Sequence, residues 1–206
     1  MGRAVAAVVA TLVLACGQPA MPTASSPTGT AGAVPTAAVA RGSPIPATGP
    51  PSTVNPTSFH SPRYGYDATI FGGWSTAAAF VRWDGAGSPG HDAAEVDKFF
   101  GPGELLIFAF AAPTTDAVDA YLDHAVAAAA AIHGACPVES TAAVTIGVED
   151  GREAKQGCGL LIDIAVTVHA GVGYQFVMRD PAVQVASDPQ HDAVFAGFLA
   201  SVRLPD

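Results

Sequence analysis

From Tyr64 to Phe71 the chain sets Tyr64, Tyr66, Ala68 and Ile70 on one side and Gly65, Asp67, Thr69 and Phe71 on the other, stopping at Gly72-Gly73 before Trp74. A period of two is that of a strand with one buried face. A second strand is expected over residues 78–83, ending in the turn-rich run Asp84-Gly85-Ala86-Gly87-Ser88-Pro89-Gly90. Residues 105–112 are almost unbroken in apolar character and include Ile107, Phe108 and Phe110. A strand apolar on both faces belongs in the middle of a sheet that is covered on both sides.

The period then changes. Pro113-Thr114-Thr115-Asp116 predicts a helix start, with a threonine cap and an acid in the first turn where the helix dipole favours it. Val118, Tyr121, Leu122, Ala125, Ala129 and Ile132 recur at helical spacing as the inward face, with Asp116, Asp119 and Asp123 elsewhere, and Gly134 closes the helix. Residues 142–148 and 152–158 flank Glu149-Asp150-Gly151, which predicts a hairpin turn because Asp-Gly tolerates positive φ. Leu160, Ile162, Ile164, Val166 and Val168 form one face of a long strand, and Tyr174, Phe176 and Met178 one face of the next, joined through Gly171-Val172-Gly173. Asp188-Pro189 predicts a capped second helix with Val194, Phe195, Phe198, Leu199 and Val202 facing inward. Strands, helix, strands, helix is the order of an α+β fold, an antiparallel sheet flanked by helices.

Residues 1–56 differ in kind. One arginine precedes an apolar run over residues 4–15, too short for a permanent membrane span, and Val13-Leu14-Ala15-Cys16 follows. This layout resembles the bacterial lipobox, which implies a signal peptide over 1–15 and a diacylglyceryl group on Cys16; the alternative is an ordinary cleavable signal. Residues 17–56 hold 9 of the 17 prolines, one charge and no aromatic residue, so they cannot bury enough surface to offset the entropy of ordering. They are expected to be a disordered tether of residues 16–56, with a single domain over 57–206. The expected location is extracytoplasmic, on the bacterial cell membrane through lipidated Cys16.

Composition narrows the partners. All 18 acids lie in residues 57–206 against 7 bases, a net charge of −11 for the domain, which repels phosphates and argues against nucleic acid. Alanine accounts for 42 residues, so the 50% hydrophobic content overstates the core. Beyond Cys16 there are two cysteines, Cys136 and Cys158. In an exported chain a disulfide between them is the expectation, contributing about 3 kcal/mol in the chain-entropy model. Free buried thiols or a metal or redox pair are the alternatives, although no Cys-x-x-Cys is present.

Chemistry is sparse. Six histidines occur without His-x-x-x-His or His-Glu-x-x-His spacing, which gives no metal signature. No Gly-x-Ser-x-Gly elbow and no Walker-type loop is found, so no nucleophile is indicated, and no cofactor is expected. Paired carboxylates of a small hydrolase are a spatial feature that sequence does not exclude. The densest feature is the aromatic set Tyr64, Tyr66, Phe71, Trp74, Phe80 and Trp83. Its simplest reading is core and rim packing; the other is that Tyr66, Trp74 and Trp83 line a ligand or protein groove.

The phrase YGYDATIFGGW behind a lipoprotein-type tether resembles the opening of PsbP/Mog1-like domains and their bacterial lipoprotein relatives of the LpqN type. The resemblance continues through TAAVTIGVEDGREAKQGC and GVGYQFVM, over about residues 57–206, with Gly72 where the family usually has proline. It implies an antiparallel sheet between helices and non-catalytic binding or assembly in the cell envelope, and it transfers no catalytic residue. The expected function is a membrane-anchored lipoprotein whose domain binds an envelope protein or a small or lipophilic ligand. A carboxylate hydrolase and a passive structural protein are the alternatives.

Overall fold

The computed structural model describes residues 56–206 except Ala135, Cys158 and Ala186. The expectations for the signal, Cys16 and the tether, and the Cys158 half of the cysteine pair, lie outside the described residues. The elements are β1 (Thr57–His60), β2 (Asp67–Ile70), β3 (Ser75–Ala77), β4 (Asp97–Phe100), β5 (Leu106–Pro113), α1 (Val118–His133), β6 (Val138–Ile146), β7 (Glu149–Gly157), β8 (Leu161–His169), β9 (Val172–Asp180) and α2 (Pro189–Ser201). β1 and β2 form a hairpin; the other seven strands form one antiparallel sheet in the order β3-β4-β5-β9-β8-β7-β6. This is the α+β architecture expected from the alternation of periods.

β5, β9 and β8 are the middle of the sheet and are buried on both faces, as the apolar run 105–112 predicts. Residues opposite each other in a ladder share a face. Phe110, Gln175 and Val166 therefore point to the side on which α1 lies, and Ala109, Phe176 and Ala165 to the other. That second face is closed by α2 and the β1–β2 hairpin. Phe198 of α2 stacks edge-on against Phe99 and Phe176, and Tyr66 meets Phe176 from the hairpin side. Paired backbone hydrogen bonds between Asp67 and Arg203, both 2.9 Å, tie the hairpin to the end of the chain.

Several expectations need correction. Residues 78–83 form no strand; only the three residues of β3 pair with β4. The reason is competition for backbone donors: the Asp97 carboxylate accepts from Ala79 N–H (2.8 Å), the Tyr64 hydroxyl from Trp83 N–H (3.0 Å), and Ala94 O from Phe80 N–H (2.8 Å). Phe80 is left 76% exposed, outside the aromatic core. α1 begins at Val118 with Ala117 as a cap that has no side-chain bond, because the Thr114 hydroxyl accepts from Asp116 N–H in a local turn; at its far end Ile132 is exposed rather than inward.

The β6–β7 turn is Gly147-Val148, not Glu149-Asp150-Gly151, and β6 starts four residues earlier than expected. Gly147 has φ +63° and donates to Leu199 O at 2.8 Å, and a Cβ there would sit 2.2 Å from Val202 O. The turn is thus docked on the end of α2, where only glycine fits. Likewise β8 and β9 join through Ala170-Gly171, both at positive φ, the requirement of a type I′ hairpin. The short strands β1 and β4 carry little periodic signal and were not expected. The second helix is as predicted: Asp188 accepts from Gln190 N–H (3.0 Å) and His191 N–H (3.1 Å), with Pro189 following.

Candidate functional site: the face around α1

Tyr121 gives α1 its buried polar contacts with the sheet. Tyr121 is buried; its hydroxyl donates to Gly173 O at 3.0 Å and accepts from Gln175 Nε2 at 3.3 Å. Burial pushes its phenol up to about 12. The fit depends on Gly173, where a Cβ would lie 2.3 Å from the Tyr121 ring. Leu122 and Ala125 complete the buried stripe, which leaves Asp119, Asp123 and His124 in solvent.

Two hollows flank the helix. On the β6–β7 side, a hollow of about 320 Å³ is lined by Asp119, Leu122, Asp123, Thr141, Ala143 and Arg152. Arg152 Nε lies 2.5 Å from Asp119 Oδ1, so the one guanidinium there is already countered. On the other side, a hollow of about 130 Å³ is lined by Trp83, Gly85, Asp116, Tyr121, His124 and Gln175. Trp83 is fixed by an edge-on contact with Phe110 (4.8 Å between centroids) and by Nε1 donating to Ala86 O (3.1 Å). His124 Nδ1 is 2.9 Å from Asp116 Oδ2. Carboxylates, a hydroxyl and an aromatic rim equip this face to hold a cationic or polar side chain.

The three aromatics singled out from sequence do not share a groove. Tyr66 lies in the core, its hydroxyl donating to Asp97 Oδ2 at 2.9 Å, and burial together with Asp97 pushes its phenol well up. Trp74 is half-buried beside Phe71 and lines a separate hollow of about 240 Å³ with Phe59, Ile70 and Thr76. Trp83 alone reaches the α1 face. Cys136 is among the described residues and is not a free thiol.

Sequence reasoning also missed two charged clusters that fasten α2 to the sheet. Lys155 reaches Asp163 (3.4 Å) and Asp192. Burial pushes the Asp163 carboxyl up to about 7 against the pull of Lys155, and burial raises Glu153 as well. His191 lies between Asp180 Oδ2 and Asp188 Oδ1, each at 2.8 Å. Burial opposes its protonation, but the bonds to Asp188 and Asp180 outweigh that and raise its pKa. The available signal was an aspartate inside the apolar run Leu160 to Val168. Among the described residues, no group of three or more His, Cys, Asp or Glu is arranged to hold a metal ion.

No protein-family model matches the chain, and no curated protein matches it. The solution structure of cyanobacterial PsbP (CyanoP) from Synechocystis sp. PCC 6803 superposes with a TM-score of 0.52 at 12% identity, covering 77% of this chain and 98% of that one. The fold is PsbP-like. A crystal structure from Bacteroides thetaiotaomicron is similar at a TM-score of 0.45 and 14% identity, over 72% of this chain and 48% of that one. At such identities the PsbP likeness is one of fold. The feature that would set a lipoprotein apart from other PsbP-like domains is Cys16, which lies outside the described residues.

Proposed function

We propose that this protein is an extracytoplasmic lipoprotein, anchored to the bacterial cell membrane by lipid on Cys16 and lifted from it by the tether of residues 16–56. Its PsbP-like domain is a non-catalytic binding module for an envelope protein. The observation that carries the reading is the open, acid-lined face around α1, with hollows on both sides of one exposed helix. A hollow bordered by Asp119, Asp123 and Arg152 suits a polar side chain of a protein better than an acyl chain, which favours a protein partner over a lipophilic ligand. A Cys136–Cys158 disulfide belongs to the same reading. It is supported by the bonded state of Cys136 and by the adjoining backbone, where Gly157 N–H donates to Pro137 O at 3.2 Å.

The test is mass spectrometry of the membrane fraction combined with activity screening of the same purified chain. A mature N-terminus at Cys16 carrying diacylglycerol is expected, with inertness toward ester, peptide, phosphate and glycoside substrates. An unlipidated Cys16, or retention of a Cys16→Ser chain on membranes, overturns the anchor. Turnover that Asp123→Asn abolishes in a folded chain overturns the non-catalytic role.

A further inference from the structure

The sheet has two edges of unequal kind. β3 presents three residues, whereas β6 presents nine, and residues 138–143 are exposed throughout. Every second residue of an edge strand turns its N–H and C=O outward, unpaired. Exposed edges are commonly blunted by proline, lysine, an inward charge or a bulge. β6, VESTAAVTI, has no proline and no lysine, and its one irregularity lies between Val138 and Ser140. From Ser140 to Ile146 it runs in unbroken register against β7, a template of about 23 Å at roughly 3.3 Å per residue.

What lies beside that template selects the chemistry. Thr141 and Ala143, both small, border the 320 Å³ hollow on the α1 side, and Asp119 and Asp123 stand above it on successive turns of α1. Asp119 is taken up by Arg152, while Asp123 has no cation among the described residues. A strand added to β6 would run about 4.8 Å away, and its side chains opposite Thr141 and Ala143 would project onto this same face.

We propose that the β6 edge accepts an extended segment of a partner protein as an additional strand, with Lys or Arg at the alternate positions that face α1. This rests on the domain being a binding module and says where it binds and by what chemistry. A second copy of the chain fits less well. Antiparallel self-pairing of β6 puts both α1 helices on one side of the merged sheet, acid toward acid, in a domain of net charge −11.

The test uses the full chain and three synthetic peptides: acetyl-Val-Lys-Thr-Lys-Val-Lys-Thr-amide, its Glu-for-Lys counterpart, and the Lys peptide N-methylated at alternate amides. Hydrogen exchange of the β6 amides is the readout. Saturating Lys peptide is expected to slow outward-facing β6 amides at least tenfold, while the other two peptides leave them unchanged. Asp123→Asn is expected to weaken the Lys peptide roughly two- to fivefold, as for exposed charge pairs. Ala143→Lys, which leaves the β6–β7 ladder intact, is expected to abolish the protection. Absence of β6 protection, equal protection by the N-methylated peptide, or concentration-dependent protection without any peptide overturns the proposal. If an envelope partner still binds the Ala143→Lys chain unchanged, strand addition fails while the binding-module reading stands.

Discussion

Replacing Tyr121 by phenylalanine removes a single oxygen and measures how firmly α1 is held to the sheet. The ring, 6% exposed, keeps its packing, so the change isolates the polar contacts. The lost hydroxyl donates to Gly173 O at 3.0 Å and accepts from Gln175 Nε2 at 3.3 Å, the second bond being long and weak. A net hydrogen bond contributes about 1 kcal/mol, and stranding the buried Gln175 donor adds on the order of 1 kcal/mol or more. The expected destabilisation is about 2 kcal/mol, a fall in Tm of roughly 4–8 °C for a domain of this size. Urea denaturation should show a lower midpoint with an unchanged m-value, because the buried surface is the same. Gly173→Ala is the companion: its Cβ would stand 2.3 Å from the ring, forcing α1 off the sheet at a larger cost. A Tyr121→Phe loss below about 0.5 kcal/mol would refute the claim that this residue seats the helix.

Further outcomes follow from the same structure. The Asp163 pKa is raised to about 7 on folding, so its contribution is full below about pH 4 and is lost as pH climbs through 7; Glu153 acts in the same direction. His191 is also raised, so the stabilisation from Asp180 and Asp188 is whole below about pH 6.5 and is lost as pH passes its folded value. Stability should therefore fall between pH 5 and 8, and the double variant Asp163→Asn, His191→Gln should flatten that slope in denaturant titrations; a wild-type curve that rises over this range contradicts the assignment. Gly147→Ala forces a methyl onto Val202 O in a left-handed turn and should cost more than about 2 kcal/mol by thermal melting. The proposed Cys136–Cys158 disulfide predicts that Cys136→Ser costs about 3 kcal/mol under oxidising conditions and nothing in reductant; an equal cost in both contradicts the bridge.

The core was readable where one physical demand acts locally. Tyr64, Tyr66, Ala68 and Ile70 are all buried, the run 105–112 is a central strand, and Asp188-Pro189 starts a helix, because alternation, two-sided burial and capping leave their marks within a few residues. The strand expected over residues 78–83 is absent because the donors of Ala79 and Trp83 are satisfied by Asp97 and Tyr64, partners set by tertiary structure, whereas the turn-rich run 84–90 carries its irregularity in its own composition. The β6–β7 turn was misplaced because Gly147 is selected by its contact with α2 some fifty residues later, whereas Asp150-Gly151 merely has turn composition. Of the candidate face, Asp119 and Asp123 were legible as the outer side of an amphipathic helix. The hollow beside them was not, because Thr141 and Ala143 form it by being small, and small residues in an exposed strand carry no signal. Trp83 reached the face and Tyr66 and Trp74 did not, a partition that depends on which side of the sheet each loop crosses.

The central claim is that the α1 face meets a protein partner outside the cytoplasm. A photo-crosslinking amino acid placed at Asp123 in the full chain, expressed in its own host and irradiated in intact cells, tests it most directly, with Val185, also exposed, as the control position. One discrete covalent adduct with an envelope protein from position 123, and none from 185, is the predicted result. Adducts of equal yield from both positions, or with cytoplasmic proteins alone, would contradict the account.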